Sequence, residues 1–390
     1  MMKKVSRRLC AAALLAAVML GGCRRIDEEL PETAVTAASG GFAETGAETR
    51  EKKLGDYIYS KLTEDEKKNY DIIRTAVENF EDAAVFEEKI EPNELRKLYV
   101  SVYNTCFEDL WLSSIFYRPD EADNTLTLSY RYEKDEALRL KAELEKKTEE
   151  IMAGLPENAS DYTKCLYFHD HLVLNCDFSA DTAYCNTPYG ALVDGKAQCE
   201  GYAFAYNYLC SKAGVDCISV WGTNSENASH AWNIVNIDGE CYHVDCTWDD
   251  PVLTEQTPNF LRHYYFLVKD SDILGTTHFL DGRYFEWPSC LDGSNFYKRE
   301  GLYCTDTAEC TAMMENAAAK AFETGAYSFG IRCGDEKTFK AVCDTLLMPI
   351  NARLYIANAM KRAGIEGTAG KVMSYTNDSE YVIHVSVNIE

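Results

Sequence analysis

One stretch of sequence is the most informative about the fold, because it places a cysteine between a turn and a long apolar run. It reads Tyr189-Gly-Ala-Leu-Val-Asp-Gly-Lys-Ala-Gln-Cys-Glu-Gly-Tyr-Ala203. Asp194-Gly195 predicts the turn, and the run from Cys199 is apolar on nearly every side until Gly214 ends it. This pattern predicts a central, buried helix that begins at Cys199. Unpaired backbone N–H groups and the positive end of the helix dipole favour a thiolate at that position. Taken alone, Cys199 could equally be a buried helix cysteine such as Cys210.

A hairpin further along the chain brings an imidazole towards a carboxylate. Two alternating runs flank Asp238-Gly239, the type of dipeptide preferred in a two-residue type I′ turn. With this turn, Trp232 faces Asp245 and His230 faces Thr247. His230 and Asp245 are then diagonal neighbours on one sheet face, about 7–8 Å apart at the backbone. A carboxylate there would fix the imidazole tautomer and leave the other ring nitrogen for the proton of a thiol. Without a thiol nearby, the same two residues would be ordinary hairpin residues.

Three motifs occur in a fixed order along the middle of the chain. They are Cys-Glu-Gly-Tyr-Ala at 199–203, His-Ala-Trp-Asn at 230–233 and His-Val-Asp-Cys-Thr-Trp-Asp-Asp-Pro at 243–251. On these motifs, residues 161–290 resemble the transglutaminase-like superfamily, whose members share a papain-like fold. Many bacterial members have a similar segment at the end of this domain. In this chain it consists of Tyr264-Tyr-Phe-Leu-Val-Lys-Asp270 and Thr277-His278.

The resemblance implies an α+β fold in which a central helix packs on an antiparallel sheet. It also implies that Cys199 is the nucleophile, His230 the general base and acid, and Asp245 the orienting carboxylate. The backbone N–H of Cys199 is the first candidate for stabilising an oxyanion. Gln198 and Tyr189 are candidates for the second donor, although each also has a structural interpretation.

Other residues near the motifs have several interpretations. Trp232 is a candidate for the wall of the cleft, but aromatic packing in the core explains it equally well. Cys241, His243 and Asp245 offer metal-ligand chemistry on one strand face, yet strand spacing separates alternate residues by about 7 Å. The sequence therefore predicts no metal and no cofactor. His243 is interpreted as a partly buried face residue, and His278 as a structural hydrogen-bonding residue.

The N-terminus predicts export. Basic residues precede an apolar run from Leu9 to Gly22, which suits the core of a secretory signal. Leu20-Gly-Gly-Cys23 resembles the lipobox of bacterial lipoproteins, in which the cysteine carries the lipid. Residues 1–22 are thus a predicted lipoprotein signal peptide, and Cys23 is the predicted lipid attachment site. The alternative is an ordinary signal peptide with a chance cysteine.

The rest of the chain divides by composition and periodicity. Residues 23–52 lack periodic apolar positions and are predicted to form a flexible tether. Residues 53–155 are predicted to form a mostly helical accessory region, with a capping box at Thr63. Residues 156–292 carry the predicted catalytic domain. Residues 300–390 alternate helix and strand candidates, which predicts a small α+β domain of unknown role.

The composition limits the partners and the compartment. With 63 acidic and 39 basic side chains among 390 residues, the net charge of −24 argues against nucleic acid. An exported protein could keep its 16 cysteines as disulfides, or as small buried thiols.

The sequence as a whole predicts a lipoprotein on the outer face of a bacterial cell membrane. Its thiol site is expected to act on peptide or protein amides through an acyl-enzyme, with hydrolysis favoured and cell-wall peptide among the candidate substrates. The alternatives are amine-accepting protein cross-linking and a non-catalytic binding or scaffolding module on the same fold.

Overall fold

The structure is a computed structural model that describes residues 57–105, 113–115, 124–250, 261–323, 325–378 and 380–389. The predicted signal peptide, the tether and Cys23 lie outside the described residues. The helices are α1 (Tyr57–Ser60), α2 (Glu64–Glu78), α3 (Pro92–Thr105), α4 (Lys134–Met152), α5 (Asp161–Asn175), α6 (Cys199–Lys212), α7 (Cys246–Asp249), α8 (Asp270–Ile273), α9 (Phe296–Arg299), α10 (Cys310–Glu323), α11 (Glu336–Leu346) and α12 (Pro349–Arg362). The strands are β1 (Ala83–Val85), β2 (Ser113–Ile115), β3 (Thr125–Tyr130), β4 (Asp177–Phe178), β5 (Lys196–Ala197), β6 (Asp216–Asn224), β7 (Ser229–Ile237), β8 (Glu240–Val244), β9 (Phe266–Val268), β10 (His278–Leu280), β11 (Tyr303–Cys304), β12 (Ser328–Cys333), β13 (Ala369–Asn377) and β14 (Val382–Ile389).

A helix packed on an antiparallel sheet forms the centre of the molecule. The sheet has five strands in the order β10-β6-β7-β8-β9, and each neighbouring pair is antiparallel. Helix α6 packs on it, and the Asn233 side chain of β7 donates to the carbonyl oxygen of Ala203 at 2.9 Å. Gly214 follows the helix with a φ of 73°, the left-handed conformation that terminates helices. The predicted α+β fold and its central buried helix are confirmed.

The hairpin between β7 and β8 has the predicted turn. Asp238 and Gly239 both have positive φ, at 57° and 87°, as a type I′ turn requires. The prediction that β8 continues to Thr247 is wrong, because the strand ends at Val244. Asp245 instead caps helix α7, since its side chain accepts the backbone N–H three residues later. The residue opposite His230 is therefore not Thr247.

The accessory region combines helices with a small sheet. Thr63 forms the predicted capping box at the start of α2, and β1, β3 and β2 form a three-stranded sheet. Tyr103 of α3 reaches the central helix, with its ring centre 5.4 Å from that of Phe204 and 6.3 Å from that of Trp221. Helix α4 contributes Leu144 to the core around α6. The domain boundaries drawn from the sequence stay predictions.

The C-terminal part has its own sheet and core. Its four strands lie in the order β11-β12-β14-β13, and buried side chains of α10, α11 and α12 pack with them. Helices and strands alternate here as the sequence predicts. Across the described ranges, no helix is both long enough and apolar enough to cross a bilayer.

Candidate active site

Cys199 lies where the sequence predicts it, as the first residue of α6. Gln198 precedes the helix in an extended conformation, and the first N–H groups of a helix have no acceptor within it. Cys199 is partly exposed, whereas Cys210 in the same helix is buried. Gly201 allows the preceding loop to approach, because a Cβ there would lie 2.3 Å from the carbonyl oxygen of Cys185. The thiol is therefore accessible at the start of a helix that is otherwise enclosed.

His230 connects this thiol to a carboxylate. Its Nε2 lies 2.6 Å from Oδ2 of Asp245, and its ring also interacts electrostatically with Cys199. Because Asp245 occupies Nε2, Nδ1 is the nitrogen left for a thiol. Burial disfavours a charged imidazole, but the charge and hydrogen bond of Asp245 outweigh it and raise the pKa of His230 to about 10. The geometry therefore favours a protonated imidazole at His230.

Asp245 accepts three N–H groups. Its Oδ1 accepts the backbone N–H of Trp248 at 3.0 Å. Its Oδ2 lies 2.6 Å from Nε2 of His230 and 2.9 Å from Nε2 of His278. Burial opposes the ionised form, but the two imidazoles hold the pKa of this carboxyl well below its usual range. The carboxylate is thus ionised and fixed in orientation.

His278 is the site residue whose partner the sequence reasoning missed. The interpretation as a structural hydrogen-bonding residue did not include Asp245. Its ring is fully buried, with its centre 5.3 Å from that of His230 and 4.8 Å from that of Trp248. The one signal for it was the position of His278 in the segment that resembles the end of the family's domain.

Trp232 supports His230 from inside the core. Trp232 is 1% exposed, and its ring stacks on that of His230 with centres 5.8 Å apart. Its indole N–H donates to Nδ1 of His243 at 3.0 Å. Trp248 lies on another side of His230 at 5.7 Å and is partly exposed. Trp248 rather than Trp232 is therefore placed to contact a ligand.

Gln198 and Tyr189 both have partners away from the thiol. The amide nitrogen of Gln198 donates to the sulfur of Cys185 at 3.2 Å. The hydroxyl of Tyr189 donates to a carboxylate oxygen of Glu143 at 2.7 Å. Their roles in an oxyanion site stay predictions.

The accessory region approaches Glu200, the residue that follows Cys199. Burial raises the pKa of Glu200, and the side chains of Tyr103 and Trp221 oppose that shift by stabilising the ionised carboxylate. Tyr103 also packs on Phe204 of the central helix. Helix α3 is thus connected to the first turn of the helix that begins with Cys199.

The hydrogen bonds of His243 determine whether this residue and its neighbours could bind a metal. His243, Asp270 and Cys290 offer ligand atoms within 4.8 Å of one another. The indole of Trp232 can only donate, so Nδ1 of His243 accepts and Nε2 carries the proton, which it donates to Asp270 at 2.9 Å. A protonated nitrogen cannot ligate a metal. Cys241, His243 and Asp245, the candidate ligands on the strand face, do not form one cluster, because Asp245 bonds to His230.

A second buried network fixes the chain that follows Asp245. His169 lies between Asp170 and Asp249, with ring nitrogens 3.0 and 3.1 Å from their carboxylate oxygens. Burial opposes protonation, but the two carboxylates raise the pKa of His169 to about 9. Asp249 also accepts the backbone N–H groups of Tyr264 and Tyr265 at 2.8 and 2.9 Å. The network ties α5 to the segment between α7 and β9.

Part of the chain is similar to a known protein family. A model of the transglutaminase-like superfamily matches residues 146–246. The kyphoscoliosis peptidases of Mus musculus and Homo sapiens are each 30% identical to this chain over 102 residues. The aligned part is 23% of this chain and 15% of either relative, so the chain spans a small fraction of their length.

A solved structure described as a TGase is 13% identical, with a TM-score of 0.27, and the alignment covers 45% of this chain and 52% of the other. The family model matches the segment that contains the helix, the hairpin and the three motif residues Cys199, His230 and Asp245. Residues 146–246 are therefore similar to the transglutaminase-like superfamily, and the helix packed on an antiparallel sheet is consistent with a papain-like fold.

Proposed function

We propose that the chain is a cysteine enzyme that acts on peptide or protein amides through an acyl-enzyme, with hydrolysis favoured. The observation that carries the proposal is the hydrogen bond from His230 to Asp245, made by an imidazole that also interacts electrostatically with Cys199. An imidazole that bonds to a carboxylate with one nitrogen and to a thiol with the other activates a nucleophile. The word peptidase in the names of the two mammalian relatives agrees with this chemistry, although they align with only part of the chain.

The proposed reaction has two halves, formation of the acyl-enzyme and its hydrolysis. Sγ of Cys199 attacks the amide carbonyl carbon, and Nδ1 of His230 holds the proton from the thiol. The backbone N–H of Cys199 is placed to stabilise the oxyanion. The C–N bond then breaks as His230 gives its proton to the leaving amine. In the second half, water gives a proton to His230 and attacks the thioester, which releases a carboxylic acid and restores the thiol.

Selective alkylation tests the activated thiol. At pH 6, we expect iodoacetamide to label Cys199 faster than Cys241 and Cys343, which are also partly exposed and serve as internal controls. The variant His230→Ala should abolish this preference. Peptide mapping by mass spectrometry identifies the labelled residue. Equal labelling of the three thiols would instead favour a non-catalytic binding or scaffolding module.

Turnover separates hydrolysis from transfer. We expect the protein to release free amine from peptide amides without incorporating an added primary amine, because the partly exposed thiol admits water. Cys199→Ala is the matched control for both products. Dominant incorporation of the amine would favour a cross-linking transglutaminase.

We further propose that the protein is exported and lipid-anchored to the outer face of the bacterial cell membrane. The signal-like segment and Cys23 support this location, and the proposed partners are the membrane and peptide or protein substrates, including cell-wall peptide. Several acyl chains on one residue anchor a protein more firmly than one chain. Metabolic labelling with a palmitate analogue should mark the protein, and the label should disappear in Cys23→Ala. Unchanged labelling in that variant would contradict the anchor.

A further inference from the structure

A single carboxylate oxygen receives two imidazoles in this site. Oδ2 of Asp245 lies 2.6 Å from Nε2 of His230 and 2.9 Å from Nε2 of His278. We propose that His278 is a positioning residue, a neutral imidazole whose N–H holds the shared oxygen of Asp245 and moderates the effect of that carboxylate on His230. This inference rests on the proposed function, because it concerns the same thiol site.

The tautomer of His278 follows from its partners. An ionised carboxylate can only accept, so Nε2 of His278 must carry the proton in its hydrogen bond with Asp245. Its Nδ1 lies 2.9 Å from the hydroxyl of Thr277, which can donate to an unprotonated nitrogen. One proton on Nε2 therefore satisfies both contacts.

The surroundings of His278 favour the neutral ring. Burial lowers the pKa of His278, and the neighbouring His230 and His243 lower it further, against the opposing effect of Asp245. The titratable groups that face Asp245 and the two imidazoles from neighbouring elements are Cys199, His243, Cys246 and Tyr265. A positive charge on His278 would lie beside the imidazolium of His230, with no second carboxylate among these groups to compensate it.

The close packing of β10 on β6 positions this ring. His278 begins β10, which pairs with β6 at the edge of the sheet, and Gly222 of β6 lies opposite His230 of β7. A Cβ on Gly222 would lie 1.8 Å from the carbonyl oxygen of Phe279. Only glycine lets β10 approach closely enough to bring His278 to Asp245.

The two imidazoles compete for the negative charge of Asp245. A hydrogen bond from His278 withdraws part of the acceptor strength that would otherwise stabilise the imidazolium of His230. Removing that donor should stabilise the imidazolium, while the carboxylate loses one of the contacts that fix its orientation. These two effects predict a changed pH profile together with a slower reaction.

The pH dependence of Cys199 alkylation tests the inference without a substrate. In His278→Leu, we expect the basic limb of the profile to move up by about one pH unit and the maximal rate to fall. His278→Gln retains an N–H donor and should keep the wild-type limb. His171→Leu is the control, because the side chain and carbonyl of His171 contact Asn175 of the same helix and not Asp245. An unshifted limb in His278→Leu, or an equal shift in the glutamine variant, would overturn the proposal.

A measurement on the unmodified protein covers the case in which His278→Leu does not fold. Nitrogen-15 NMR of histidine-labelled protein should show His278 as a neutral ring protonated on Nε2 from pH 7 to 9. Titration of His278 within that interval would contradict the inference. A wild-type Cys199 that reacts no faster than Cys343 would contradict the proposed function instead, so the two failures are distinguishable.

Discussion

Replacing Asp245 by asparagine should disable the thiol while preserving the shape of the site. The pKa of His230 is raised from its usual 6.5 to about 10 because Asp245 lies 2.6 Å away in a buried environment. Each pKa unit corresponds to about 1.4 kcal/mol, so Asp245 and Cys199 together favour the imidazolium by roughly 4–5 kcal/mol after the opposing effect of burial, with Asp245 as the larger contributor. Asparagine keeps an acceptor but not the charge, and a loss of about 3 kcal/mol corresponds to a rate about 100-fold lower.

The assay is the rate of iodoacetamide alkylation of Cys199 at pH 6. Asp245→Asn should reduce it by about 100-fold or more. Asp270→Asn is the matched control, because Asp270 also bonds to a buried histidine, His243, but in a pair without the reactive thiol. A rate in Asp245→Asn within a few-fold of the wild type would refute the role of the carboxylate. An equal loss in both variants would indicate general destabilisation.

Three further predictions concern stability. His169→Gln should lower the unfolding free energy by about 3 kcal/mol at pH 6. Because the raised pKa of His169 contributes fully below pH 6.5 and is lost as the pH passes about 9, urea unfolding should show this deficit shrinking at high pH. Gly222→Ala should destabilise by about 3 kcal/mol or more in the same assay, whereas Gly282→Ala should be nearly neutral because nothing lies within 4 Å of the position that its Cβ would take. Tyr103→Phe should cost about 1 kcal/mol by removing a hydroxyl that stabilises the ionised carboxylate of Glu200, as a thermal shift would report.

Local chemistry made the central helix and the hairpin turn predictable. The helix begins at Cys199 and ends before Gly214 because apolar residues and a left-handed glycine define it within one segment. Asp238-Gly239 likewise sets the register of its own hairpin. The end of β8 was not predicted, because the alternating pattern continues past Asp245 while its side chain caps a helix.

Contacts between distant segments explain what could not be predicted from the sequence. His278 reaches Asp245 only because β10 crosses β6 at Gly222, and no local pattern reports that approach. The packing of Tyr103 on Phe204 similarly requires the accessory region to contact the central helix. Such contacts depend on tertiary arrangement, which propensity and periodicity do not encode.

Imidazole–carboxylate pairs are not by themselves what makes this site reactive. His230, His243 and His169 are all buried beside carboxylates. The remaining nitrogen of His243 accepts from Trp232, and both nitrogens of His169 face carboxylates. Of these three, only His230 also interacts electrostatically with Cys199, which is partly exposed. We therefore expect the nitrogen that remains to exchange a proton with this sulfur to distinguish the proposed reactive pair from the two other pairs.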